Sequence, residues 1–275
     1  MKFTHLKHIV GASMTACLFA VSPTCALPAR ADDDEARQIM TKVEGRDDGD
    51  NRITNMEMIL VDKHGKKRVR RTRTHRKDKG KDTLKLMFFL HPPDVKNAGF
   101  MTYDYDDPEK DDDQWLYLPA LKKTKRIAST DTSKSFMGSD FTYSDMTSRN
   151  LEDYDFKIVK TQAVNNVSTW IIETMPKSEE VIEETGYTKS LLFVRKDNYV
   201  VIRAVHFVKD GNRLKYMDVK KLELIDNIWV ATEVHMTTKK GGITLHKTIL
   251  RHRDVKFGQK LDESFFSVRR LEKGL

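Results

Sequence analysis

The hydrophobic period of the chain changes near residue 50. Over 33–45, Ala36, Ile39, Met40 and Val43 fall at i, i+3, i+4 and i+7, and this single apolar stripe predicts a helix. Asp32 to Glu35 sit at its start, where the helix dipole favours acids, and Gly45 ends it before the polar turn Asp47-Asp48-Gly49-Asp50. From residue 52 the period is two. Met56, Met58 and Leu60 alternate through 53–62; further strands are predicted at 67–76, 83–90, 99–105, 114–118 and 122–128. His91-Pro92-Pro93 stops the third run, because proline cannot donate to a sheet ladder.

The second half reads as a longer meander, with strands at 154–161, 167–175, 190–196, 198–208, 213–225, 228–238 and 243–255. Its turns, Asn165-Asn166, Asp197-Asn198, Lys209 to Asn212, Asp226-Asn227 and Lys239 to Gly242, are built from residues that tolerate the positive φ of tight hairpins. Sequential hairpins make neighbouring antiparallel strands, and a sheet of this size curls rather than lying flat. Between the halves, 138–150 reads as locally helical, with Ser139 as N-cap; a short helix is also expected near Asp262 to Ser267. Both faces of 198–208 are largely apolar, so both need cover. No shift in composition marks a second domain, and 32–275 is expected to be one.

The first thirty-one residues read as a secretory signal: Lys2 and Lys7, an apolar run from Ile9 to Val21, Pro23, then Ala29-Arg30-Ala31 as cleavage site. Cleavage after Ala31 is expected, with Ala26 as the second reading. Met14-Thr15-Ala16-Cys17 resembles a lipoprotein box, but cutting there would leave an apolar tail. The expected compartment is the periplasm. No other stretch approaches the roughly 20 apolar residues of a membrane-spanning helix. Cys17 and Cys25 both lie in this segment, so the exported chain has no disulfide, thiol nucleophile or thiolate metal site. The formal charge of +8 falls to +5 (46 Lys and Arg against 41 Asp and Glu) when Lys2, Lys7 and Arg30 leave. A mildly basic exported protein points to anionic lipid or an acidic partner surface rather than nucleic acid.

Enzyme signatures are missing: there is no phosphate-binding glycine loop, no Gly-x-Ser-x-Gly elbow and no His-Glu-x-x-His helix. His206, His235, His246 and His252 fall on different strands and read as exposed or hydrogen-bonded strand histidines. The acidic loop Asp104 to Asp113 carries Pro108 and no glycine, unlike a calcium loop, and reads as solvated. No metal, cofactor or catalytic residue is expected. The basic strand 66–81, with Arg68, Arg70, Arg71 and Arg73, reads either as an edge guarded by charge or as a dock for anionic headgroups, a peripheral membrane contact. Strand methionines such as Met56, Met58 and Met87 read first as core, and their adaptable shape also suits varied apolar ligands.

One region carries a family resemblance. Gln114-Trp115-Leu116-Tyr117-Leu118-Pro119-Ala120-Leu121, then Lys125-Arg126-Ile127, then Ser135-Phe136-Met137-Gly138-Ser139-Asp140-Phe141-Thr142-Tyr143-Ser144-Asp145 resembles the outer-membrane lipoprotein-sorting protein family, in its LolA-like branch. The resemblance implies a mainly β (α+β) fold, a curved antiparallel unclosed β-barrel of about 11 strands with helices covering the mouth. It implies a periplasmic carrier for a lipid, lipoprotein acyl chains or a similar molecule, working with an inner-membrane transporter of the resistance-nodulation-division (RND) type. Trp115 and Tyr117 would then share the apolar side of the sheet. Phe136, Met137, Phe141 and Tyr143 would flank the lid, with Gly138 giving freedom at the turn into the short helix. The alternative is an envelope sensor or binding module that regulates a partner protein.

Overall fold

The computed structural model describes residues 32–275; the expected signal, its cleavage site and both cysteines lie outside the described residues. Helix α1 (Asp34–Glu44) begins where the Asp33 carboxylate accepts from the N–H groups of Glu35 and Ala36, and it buries Ala36, Ile39 and Met40, the stripe expected from the sequence. Six strands follow: β1 (Arg52–Asp62), β2 (Lys67–Lys79), β3 (Asp82–His91), β4 (Gly99–Asp104), β5 (Asp113–Leu118) and β6 (Lys123–Arg126). Seven more close the chain: β7 (Tyr154–Val164), β8 (Val167–Pro176), β9 (Tyr187–Arg195), β10 (Val201–Val208), β11 (Arg213–Ile225), β12 (Ile228–Lys240) and β13 (Ile243–Lys256). Helix α2 (Glu179–Thr185) precedes β9, and α3 (Val268–Lys273) ends the chain.

All thirteen strands, one for each segment read from the period-two pattern where the resemblance implied about eleven, form one antiparallel sheet in the order β6-β5-β4-β3-β2-β1-β13-β12-β11-β10-β9-β8-β7. Asn165-Asn166 and Asp226-Asn227 all take positive φ, so each reverses the chain in two residues and leaves long strands on both sides. β1 and β13 are the one neighbouring pair that is distant in sequence; they join the two meanders in register, with Met58 opposite Leu250 and Leu60 opposite Thr248. The sheet curls without closing, and β6 and β7 are its free edges.

Residues 127–153 connect those edges as a strap, with only short 3₁₀ turns such as Phe136–Gly138 and Ser144–Met146. The expected helix over 138–150 does not form. Met137 and Gly138 take left-handed φ of 49° and 71°, and Ser135 pairs with Thr142 in an isolated bridge. Beyond them Thr142 and Asp145 bond each other's backbone N–H groups, an alternative to helix hydrogen bonds that short polar side chains offer. The C-terminal helix also lies later than expected: Glu263–Phe265 is a 3₁₀ turn, and the Ser267 hydroxyl caps α3 by accepting from the Arg270 N–H.

Three apolar clusters fix the layers. α1 packs on the inner face of β7 to β10 against Phe156, Ile172, Leu192 and Ala204. The strap packs on the inner face of β1, β3, β4 and β5. α3 and its preceding turn cover the outer face of β3 to β5 through Phe266 and Leu271. An irregular strap and one helix therefore cover the inner face, where helices were expected.

Candidate functional site

Strand alternation sends one apolar set inward beneath the strap: Met56, Met58 and Leu60 of β1, Met87 and Phe89 of β3, Phe100 of β4, Leu116 of β5 and Leu250 of β13. Phe136, Met137, Tyr143 and Met146 of the strap close over them. The Phe136 ring lies 4.9 Å from that of Phe100 and 5.5 Å from that of Tyr143, and Phe136 is fully buried. Such rings gain from edge and tilted contact beyond the area they bury.

Polar bonds fasten the strap. Arg70 of β2 donates to the Met137 carbonyl, Lys85 Nζ to the Met146 carbonyl at 3.0 Å, and Gln114 Nε2 to the Tyr143 carbonyl at 3.2 Å. The strongest anchor is Asp140, which is 4% exposed. Its carboxylate accepts from Thr238 Oγ1 at 2.5 Å and Thr248 Oγ1 at 2.7 Å, and His246 Nδ1 lies 2.7 Å away. Its own N–H donates to Thr248 Oγ1. A carboxylate accepting this many bonds is satisfied without a counter-ion. In the sequence Asp140 stands only as one letter of the signature run. Its partners lie 98 to 108 residues away, beyond any local pattern.

Towards β9 to β11 the inner face becomes polar. Buried Asp145 accepts from Tyr187 Oη at 2.9 Å and lies 3.6 Å from Arg149. Burial would raise its pKa, but Arg149 and Lys215 hold it below the ordinary carboxylate value. His206, 4% exposed, is bonded to Ser190 at 2.7 Å; burial, then the charge of Arg149, lowers its pKa to about 3, so it stays neutral. His235 pairs with Glu233 at 2.7 Å. His206, His235 and His246 are therefore each bonded to a different partner and do not converge.

The expected site residues divide between faces. Phe136, Met137 and Tyr143 share the inner cluster, and Phe141 is buried beside them in the strap. Trp115 and Tyr117 point the other way. They pack with Leu84, Leu86, Phe88, Met101 and α3, and Trp115 meets the Tyr103 ring edge-on at 5.1 Å. They do not line one space with the strap aromatics. On β5, Gln114 and Leu116 take the inner positions, and both faces of this short strand are covered, so its sequence could not distinguish them.

The four arginines also separate. Arg70 turns inward to the strap and Arg68 shares its side of the ladder; Arg71 and Arg73 point outward, where they bond Glu57 and Asn55. β2 is an interior strand of the sheet, not an edge.

The described residues also enclose a hollow of about 600 Å³ at one end of the sheet, between the Asp104–Asp113 loop, the late strap and α2. Carboxylates dominate its lining, where an apolar cavity was expected. Burial and neighbouring acids raise the carboxyls of Asp112 and Glu184 to about 6. No helix among the described residues is long and apolar enough to cross a membrane.

A family model described as "-like: Uncharacterized protein" matches residues 81–273. No curated protein matches in sequence. A solved domain from Vibrio parahaemolyticus, assigned to outer membrane lipoprotein sorting, is 30% identical; the match covers 86% of this chain and 98% of that one, with a TM-score of 0.78. A DUF1329 family protein from Desulfovibrio piger gives the same coverage and TM-score at 25% identity. A LolA superfamily protein from Nitrosomonas europaea, at 15% identity and a TM-score of 0.65, shares the fold. The match runs over nearly all of the Vibrio domain at 30% identity, and the chain belongs to the outer-membrane lipoprotein-sorting protein family; its likeness to the LolA superfamily protein is one of fold.

Proposed function

We propose that the protein is a periplasmic carrier, not an enzyme, that shelters the acyl chains of a lipid or lipidated protein against the inner face of the sheet, with strap 127–153 as a movable cover. The observation that carries this reading is the apolar set under the strap. Met56, Met58, Met87, Met137 and Met146 meet there with Phe100 and Phe136. Methionine repacks around differently shaped chains at little cost. Each methylene withdrawn from water contributes about 0.8 kcal/mol, so a single long acyl chain could displace the strap's own apolar contacts. The strap lacks regular secondary structure, and a few polar anchors hold it, so it can lift without breaking a sheet ladder. The name borne by the Vibrio domain, outer membrane lipoprotein sorting, agrees with this role. Membrane contact would use the outward arginines Arg71 and Arg73 with Arg251 and Arg253, each contributing about 1 kcal/mol near anionic headgroups.

The test is native mass spectrometry with lipid extraction on protein purified from a periplasm. A stoichiometric amphiphile is expected. A protein that stays empty after incubation with envelope lipids, yet holds an envelope protein stably, would replace this reading with that of a binding module.

A further inference from the structure

The acidic hollow lies apart from the apolar face and has its own chemistry. Eleven carboxylates and four cationic side chains line it. The cations are already engaged: Arg76 with Asp48 and Asp78, Lys81 with Asp106, Lys110 over the Tyr105 ring, and Arg149 with Asp145. Asp111, Asp112 and Asp153 surround Glu184 and raise its pKa through like charge, added to the effect of burial. Gln114 supplies an independent sign of a missing partner. It lines the hollow, is 2% exposed, and spends its Nε2 on the Tyr143 carbonyl, while its Oε1 accepts no hydrogen bond. A buried acceptor left unpaired costs free energy that an incoming N–H donor would recover.

The lining acids are spread through the hollow. Among the described residues no three His, Cys, Asp or Glu side chains stand close enough together to hold a metal ion. A volume of about 600 Å³ suits a small organic molecule. We infer that this hollow binds an organic polycation, a ligand with two or more protonated amines whose N–H groups donate to the carboxylates and to Gln114 Oε1. Such a ligand matches charge spread over distance, as a single metal ion cannot. The inference uses the strap in its closed position, since residues 147–153 wall the hollow, but none of the apolar residues beneath the strap that would meet an acyl chain.

The test is calorimetric titration of the purified chain with spermidine at low ionic strength, against the double variants Asp112→Asn/Glu184→Gln and Asp226→Asn/Glu263→Gln. The second pair makes the same change in charge away from the hollow, and thermal melts establish that each variant is folded. Saturable one-to-one binding is expected, weakened about tenfold or more by the first pair and about unchanged by the second. Gln114→Met, which removes the acceptor without changing charge, is expected to weaken binding as well. Absence of saturable binding, or equal weakening by both pairs, would overturn the inference.

Discussion

Asp140 and Thr248 are joined twice: the Asp140 N–H donates to Thr248 Oγ1 at 2.9 Å, and that hydroxyl donates back to the Asp140 carboxylate at 2.7 Å. One residue belongs to the strap and the other to the strand that joins the two meanders, so this reciprocal pair ties the cover to the middle of the sheet. Asp140→Ala would leave the Thr238 and Thr248 hydroxyls and His246 buried or half-buried without their acceptor. A loss of about 3 kcal/mol is expected in denaturant unfolding, with faster hydrogen exchange in 136–144 than in the β1–β13 ladder. Asp140→Asn, which keeps part of the acceptor capacity, should lose less.

Gly138 takes a φ of +71° beside Met137 at +49°, and the space around its Cα is open. The cost of a side chain there is therefore conformational rather than steric. Gly138→Ala should lower stability by about 1 kcal/mol, measured by urea unfolding.

His206 has its pKa lowered to about 3 in the folded state, below an unfolded value of 6.5. The unfolded chain therefore binds more protons between these values, and stability rises with pH across them. The contribution is complete above about pH 6.5 and lost as pH falls towards 3. Between pH 7.5 and 4.5 the wild type should lose about 2 kcal/mol more than His206→Gln, read from paired denaturation curves.

Glu184 has the opposite sign. Burial and the neighbouring acids raise its folded pKa to about 6, above the ordinary 4.5, so the folded state holds the proton more tightly and stability falls as pH rises through that range. Glu184→Gln should raise the melting temperature at pH 8 and change it little at pH 4.5.

Much of this architecture was legible because two-residue turns and strict alternation are local signals. The α1 stripe and the Asn165-Asn166 and Asp226-Asn227 hairpins stand where their patterns put them. Ser178, the acids Glu179 and Glu180, and Gly186 mark α2 by the same chemistry, although no helix was read there. What stayed hidden was non-local. The facing of Trp115 depends on which side of a doubly covered strand curls inward. The strap fails to be helical because Asp140 finds its partners on β12 and β13, and the acidic hollow exists only once the Asp104–Asp113 loop meets α2.

Photo-crosslinking shows whether acyl chains lodge beneath the strap. A fatty acid carrying a photoreactive group near its chain end is bound to the purified protein, irradiated, and mapped by peptide mass spectrometry. Adducts are expected on Met56, Met58, Met87 and Met137, increased by Asp140→Ala. Adducts confined to the outer face around Trp115 and Tyr117, or none in a folded protein, would contradict that placement.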